Sequence, residues 1–119
     1  MYLGHPQIKE LIDVAVEEGA RIAVTYGGSP GLYTGYLKER EVKVLHQVAL
    51  VRHARSAASQ GVDVVIAAGF EGGGPRGTNE ISTMVLVPQV VDAVPIPVIA
   101  SGGIVDPRGF GAALALGAQ

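Results

Sequence analysis

The chain has 119 residues, 48% of them hydrophobic and 17% charged, with a formal net charge of −2. That length suits one modest domain over residues 1–119, and that balance suits a globular interior, not a disordered tail. Without a basic block, a cysteine or an apolar run near the ~18 residues of a membrane span, the sequence argues against nucleic-acid and membrane partners, disulfides, thiolate metal sites and a cysteine nucleophile; the missing cysteines fit a reducing cytoplasm.

The first periodic segment is Pro6 to Glu18. Ile8, Leu11, Ile12, Ala15 and Val16 recur at helical spacing, and Gly19 stops the run. A β-rich stretch, Arg21 to Tyr26, leads into Gly27-Gly28-Ser29-Pro30. A weaker helix follows from Leu32 to Arg40, then a strand from Val42 to Val48. A small-residue helix from Arg52 to Gln60 ends at Gly61. Val62 to Ala68 is the third strand, and it runs into a glycine-rich loop, Gly69 to Gly77. Thr83 to Val94 reads as a helix with Leu86, Val87, Val90, Val91 and Val94 on one broad face. Pro95 and Pro97 punctuate the turn into a fourth strand, Val98 to Ala100. Asp106 suits an N-cap, with Pro107 at the first position of a last helix that runs to Leu116 and stops at Gly117.

Helix and strand therefore alternate, and the strands are short continuous apolar runs of the kind buried on both faces of a parallel sheet. The class is α/β with right-handed crossovers. One unit repeats: Glu18-Gly19-Ala20-Arg21, Gln60-Gly61-Val62-Asp63 and Leu116-Gly117-Ala118-Gln119 each end a helix and open a strand. Four strands cannot close an eight-stranded (β/α)8 barrel of the TIM type, which usually takes ~250 residues. The expectation is a partial or half-barrel that associates or belongs to something longer, with a complete four-stranded open sheet as the alternative.

In either case ligands belong at the carboxyl ends of the strands. Two loops there are rich in glycine. Gly69-Phe70-Glu71-Gly72-Gly73-Gly74 follows the third strand, and Ser101-Gly102-Gly103 follows the fourth. Glycine suits close backbone approach or positive φ, and successive N–H groups at a strand-to-helix turn can form an anion nest. A Gly-Gly there can also be only a tight turn. Glu71 has two readings, a ligand acceptor or a cap for local amides. Gln47, at the end of its strand, can both donate and accept in a barrel mouth, or can bond neighbouring backbone.

Other polar residues are less committed. His5 reads as an exposed cap before the first helix. His46 alternates with Gln47, so it faces the opposite side of its strand, towards a helix. His53 lies nearer the mouth, with solvated surface as its default. Tyr26 and Tyr33 flank Gly27-Gly28, where either can line a pocket or pack at the rim. No His, Asp or Glu grouping has metal-ligand spacing. Ser29 and Ser101 lack the setting of a nucleophile elbow, and no Gly-x-Gly-x-x-Gly opens a helix.

Taken in order, Gly69-Phe70-Glu71-Gly72-Gly73-Gly74, Leu86-Val87-Pro88-Gln89-Val90-Val91, Ile96-Pro97-Val98-Ile99-Ala100-Ser101-Gly102-Gly103-Ile104 and Ala113-Leu114-Ala115-Leu116-Gly117-Ala118 resemble the nitronate monooxygenases, formerly 2-nitropropane dioxygenases, and the related FMN-dependent enoyl-acyl-carrier-protein reductases. The likeness extends upstream through Val44 to Val48. It implies a TIM-type barrel that binds FMN and oxidises nitronates or nitroalkanes, a small-molecule substrate. Gln47, Gly69, Glu71 and Gly73 would border the flavin, and Ser101, Gly102 and Gly103 would hold its phosphate. The family's second phosphate loop would lie beyond Gln119. One position departs: the family's proposed catalytic histidine falls on Pro75, which has no titratable group. No catalytic residue is therefore assigned. The resemblance leaves open an FMN oxidoreductase with impaired base chemistry, an inactive fragment or half-barrel binding module that can form a homo-oligomer through its open edges, and an FMN-dependent NAD(P)H or enoyl-thioester reductase.

Overall fold

The four apolar runs pair in sequence order into one all-parallel sheet: β1 (Ile22–Thr25), β2 (Lys43–Val48), β3 (Val64–Ala68) and β4 (Val98–Ser101). This is a computed structural model, and it describes residues 1–74 and 79–119. Between and around the strands run α1 (Ile8–Glu17), α2 (Gly31–Lys38), α3 (Val51–Ser59), α4 (Thr83–Val91) and α5 (Pro107–Ala115). The predicted alternation is present throughout; most ends that differ are trimmed by one to three residues, while α2 and α3 begin and β4 ends one residue beyond expectation. The largest trim is at α4, which stops at Val91 because the Ala93 amide turns back to the Val90 carbonyl in a tighter turn.

The strand order never reverses. With right-handed crossovers, that places the helices on one face, which is the winding of a barrel and not of a doubly wound sheet. Burial follows it. Ala23, Thr25, Val44, His46, Val48, Val65, Ala67 and Val98 are buried beneath the helices, with Leu37, Ala54, Ala57, Leu86, Val87 and Val90 packed over them. On the alternate positions, Ile22 is 61% and Val24 43% exposed, and Leu45, Gln47, Ile66 and Ile99 are only partly covered. The second face of the sheet, which lines the lumen in a closed barrel, is open. Leu11, predicted on the buried side of α1, is 48% exposed. It lies on the flanking helix of the layer, where no neighbour closes over it.

The repeated helix-to-strand unit has one geometry. Gly19, Gly61 and Gly117 all take positive φ. In each case the following amide reaches back to the last helical turn: Ala20 to Ala15, Val62 to Ala57, and Ala118 to Ala113. This is a glycine C-cap with the 6→1 bond of a Schellman motif. A fourth copy carries no glycine. Glu41 holds φ 59°, and Val42 bonds the Leu37 carbonyl, so the motif was not legible from glycine placement there. The unit delivers the chain into the sheet each time; the Gln119 amide donates to the Val98 carbonyl, alongside β4. At the opposite edge Tyr2 bridges in parallel to Tyr26.

Candidate ligand-binding site

Everything with chemical potential collects at the carboxyl ends of the strands, and the centre of that region is Thr83, the first residue of α4. It is buried, 5% exposed. Its amide donates to the Glu71 carboxylate, 3.0 Å to one oxygen and 3.2 Å to the other. Its hydroxyl lies 2.9 Å from Glu71 Oε2 and 2.9 Å from the Gly102 carbonyl; with one hydrogen it donates to one of them at a time. Glu71 thus caps α4 from twelve residues away, where its charge also favours the helix N-terminus. Burial works to raise its pKa. Bonds from its own amide and from the Thr83 amide and hydroxyl outweigh that and leave it below the ordinary glutamate value.

The same contacts account for two of the glycines. A Cβ on Gly69 would collide with Thr83 and lie 2.6 Å from Glu71 Oε2. One on Gly102, at φ 112°, would come 2.7 Å from the Thr83 hydroxyl and 3.2 Å from the Gly72 amide. The loops after β3 and β4 are laced together further by the Gly69 amide donating to the Ser101 carbonyl and the Phe70 amide to Ile81. Gly73 differs. Its Cβ would meet nothing within 4 Å among the described residues, and its φ is not positive.

Two clefts flank this ridge. The first, about 600 Å³, is lined by Tyr2, Tyr26, Gly28, Gln47, His53 and Phe70, among others. The second, about 530 Å³, lies over Glu71, Gly102, Gly103, Ile104 and Phe110. Of the seven residues singled out from sequence, Gln47 and Gly69 line the first, Glu71, Gly102 and Gly103 the second, and Gly73 and Ser101 border both. Gly102 and Gly103 follow one another at φ 112° and 67°, a backbone run able to aim successive N–H groups at an anion. Pro75 lies outside the described residues.

The remaining candidates sort clearly. His5 is exposed, and its Nδ1 accepts from the Gln7 amide. His53 lines the first cleft, whereas Tyr33 packs against the core and only Tyr26 reaches the mouth. Tyr2, unremarked in the sequence, stacks beside Tyr26 at 5.6 Å between ring centres. His46 is buried on the helix side as alternation requires, 4% exposed, yet it also reaches the back of the first cleft. Burial, seconded by the charge of His53, lowers its pKa against a hydrogen bond to the Gly28 backbone that raises it. Thr83 carried a weak signal, a Ser-Thr pair opening an apolar helix; its partner Glu71 is too distant in sequence to be read. Among the described residues no three His, Asp or Glu side chains group to hold a metal, and no helix is long and apolar enough to cross a membrane.

A singly wound parallel sheet with its glycine loops and clefts at the strand ends has the winding of a TIM-type barrel. The comparisons with known proteins specify the family. Residues 3–119 match the family model described as nitronate monooxygenase, and the chain belongs to that family. A probable nitronate monooxygenase of Staphylococcus saprophyticus is 42% identical over 95% of this chain and 35% of its own length. A 5-hydroxy-7a-methyl-1-oxo-octahydro-1H-indene-4-carboxyl-CoA dehydrogenase of Rhodococcus jostii is 42% identical over 90% of this chain and 30% of its own. Among solved structures, FabK from Thermotoga maritima superposes with TM-score 0.94 at 44% identity, over all of this chain and 38% of FabK. Nitroalkane oxidase from Streptomyces ansochromogenes gives 0.85 at 29% identity, over 93% of this chain and 35% of the oxidase. These neighbours are TIM-barrel enzymes. The chain spans about a third of the length of the relatives it matches.

Proposed function

We propose that the chain forms the FMN-holding side of a nitronate monooxygenase-type oxidoreductase acting on a small nitronate or nitroalkane. The observation that carries this is the pair of interlocked loops after β3 and β4. They expose a glycine that meets nothing among the described residues, Gly73, beside consecutive positive-φ residues at Gly102 and Gly103. In this reading Ser101, Gly102 and Gly103 hold the phosphate, while Gln47, Gly69, Glu71 and Gly73 border the ring system. Glu71 serves mainly by fixing the ridge, since its oxygens are engaged by Thr83. Bound FMN supplies the redox chemistry; the chain's residues bind, orient and exclude water. The cysteine-free composition supports a cytoplasmic setting.

Titration of the purified chain with FMN, followed by flavin fluorescence and the visible absorbance band, tests this. Saturable binding that inorganic phosphate weakens is expected; an unperturbed flavin spectrum at saturating protein sinks it.

The open sheet face supports a second reading, a half-barrel that binds another copy of itself through Ile22, Val24 and the uncovered strand positions. Light scattering that finds a stable monomer removes that reading. The overlap with FabK supports a third, reduction of an enoyl thioester by NAD(P)H, and pyridine-nucleotide oxidation by the FMN-loaded protein separates it from the first.

A further inference from the structure

Tyr2 is the aromatic residue of the first cleft that the reading above does not use. Its backbone is pinned on both sides. The Tyr26 amide donates to the Met1 carbonyl at 3.0 Å, the Leu3 amide to the Tyr26 carbonyl at 2.9 Å, and the His5 amide to the Tyr2 carbonyl at 3.2 Å. The side chain is seated as well. Its ring centre lies 5.6 Å from that of Tyr26, with the planes 36° apart, within the range of a favourable aromatic pair. A Cβ on Gly4 would stand 2.6 Å from Tyr2 Cζ and from its hydroxyl oxygen, and one on Gly27 would collide with the opposite edge at Cδ2 and Cε2. Gly27 holds φ 71° and is glycine for its turn in any case. Gly4 is not at positive φ, and the three atoms nearest its Cβ would all belong to Tyr2. Among the described residues, what Gly4 makes room for is the Tyr2 side chain.

A side chain held this closely is nevertheless 49% exposed, and it lines the first cleft beside Tyr26 and Phe70. A fixed ring left half open at a cleft mouth offers apolar surface on which a flat group can stack. The polar lining includes Gln47, His53, Ser56 and Asn79, with no carboxylate among the described lining residues. An anion therefore meets N–H and O–H donors there and no like charge. At about 600 Å³, the cleft has the size of pockets that take ligands much larger than a two-carbon nitronate.

We propose that the first cleft is a substrate subsite for nitronates or nitroalkanes that carry a flat aromatic group, and that Tyr2, seated by Gly4 and Gly27, sets this preference by stacking on that group. The two-oxygen head is received by the N–H donors of Gln47 and His53. The choice of a nitronate head rests on the proposed function. The aromatic preference is read on the flavin-free chain, so a failed FMN titration and an absent preference are separate results.

The probes are phenylacetate and propionate, stable carboxylates with the heavy-atom skeletons of the nitronates of phenylnitromethane and nitroethane. The readout is fluorine NMR of the chain labelled with 3-fluorotyrosine. Phenylacetate is expected to bind saturably and about tenfold or more tighter than propionate, the weight of a buried aromatic ring. It should shift the Tyr2 and Tyr26 resonances and leave those of Tyr33 and Tyr36 still. Equal affinities, or a Tyr2 resonance that does not move, overturn the proposal. Tyr2→Leu should weaken phenylacetate about two- to tenfold, the weight of one lost aromatic pair, and leave propionate unchanged. Tyr2→Phe should restore the native affinity. Should Tyr2→Leu not fold, Gly4→Ala decides: its methyl pushes the ring from its seat without deleting it, and phenylacetate should weaken in the same range. Undiminished phenylacetate binding in the folded variant, or an equal loss of both probes, refutes the stacking role. Phenylacetate is expected to stay bound when FMN is added; its displacement by FMN would make the aromatic wall a flavin surface and overturn the proposal.

Discussion

The two halves of the mouth hold their glycines for different reasons. On the β3–β4 side, Gly69 and Gly102 are glycine because Thr83 and Glu71 occupy the space a Cβ would need. That side is a locked ridge, in which one buried threonine ties a helix N-terminus to two strand ends. On the β1–β2 side, Gly27 and Gly28 turn a loop at positive φ, with the Tyr2 ring against Gly27 and Gln60 accepting from Ser29 and Gly31 just beyond. Glycine-rich sequence therefore has no single meaning in this chain. One half of the mouth is rigid by packing. The other is held by an aromatic ring and by the Gln60 side-chain amide. A binding surface that must hold a ligand's anion while admitting varied substrates is served by such a division.

The largest expected effect concerns Pro75, which by the sequence resemblance falls where the family's proposed catalytic histidine stands; a positioned base is worth ~10²–10⁴-fold in rate. In the FMN-loaded protein, Pro75→His is expected to raise nitronate oxidation by something in that range. No gain at any pH would mean the ridge does not carry base chemistry in this chain, and would move attention to the reductase alternative. Next comes Gly69→Ala. The added methyl has no way out, since backbone of α4 as well as the Thr83 side chain stands against it. Overpacking of this kind costs ~1–3 kcal/mol and sometimes more, so a large fall in melting temperature is expected. An unchanged melting curve would show the ridge to be loose. Thr83→Val keeps the volume and removes the hydroxyl, so whichever of the Glu71 and Gly102 oxygens takes its hydrogen loses that donor, while the residue 83 amide still serves Glu71. A loss of about 1–3 kcal/mol is expected by chemical denaturation, the cost of a partly buried acceptor left unpaired. Glu71 is exposed and recovers some solvation, which argues for the low end of that range.

Sequence reasoning reached the fold because both of its signals are local. Apolar runs of four to six residues and a glycine after three of the five helices were enough to order the elements, while the strand order that separates barrel winding from an open sheet was not legible. It missed Glu41, where a charged residue adopts the conformation glycine marks elsewhere. At the site, the loops were found by composition, and the ridge was not, because Glu71 meets Thr83 only after β3, its loop and α4 have folded against β4. For Glu71 the local-cap reading proved physically correct, though the amide it caps belongs to a helix and not to its own loop alone. His46 was placed on the correct face by alternation. Its bond to Thr25 was invisible, since it crosses from one strand to another.

Acid should act on the two halves in order. The His46 pKa is lowered by burial, so the unfolded chain binds that proton first, and stability falls as pH drops through and below the ordinary histidine value of 6.5. Asp63, pulled down by the Val44 amide and the Lys43 and Lys38 ammonium groups against its burial, and Glu71 hold their contribution until pH falls below the ordinary carboxylate values, 3.8 and 4.5. Thermal melts between pH 8 and 3 are expected to show a first decline that His46→Gln removes and a second that it leaves. A single decline in the carboxylate range for the native chain would mean that the His46 side contributes no pH sensitivity.

The smallest effect on stability is expected at Gly73, and it separates the two meanings of glycine most directly. A methyl there meets nothing among the described residues, and the backbone is not left-handed. Gly73→Ala should therefore leave the melting temperature unchanged, or raise it by the ~0.4–1 kcal/mol that restricting the unfolded chain provides. Among the described residues nothing requires glycine at Gly73, and under the proposed function the flavin passes close to its backbone. FMN affinity should fall by about tenfold or more, a loss of roughly 1.4 kcal/mol from one displaced contact. A stability loss would show that Gly73 belongs with Gly69 in the packing of the ridge. Unaltered FMN binding in a stable variant would place the flavin away from Gly73.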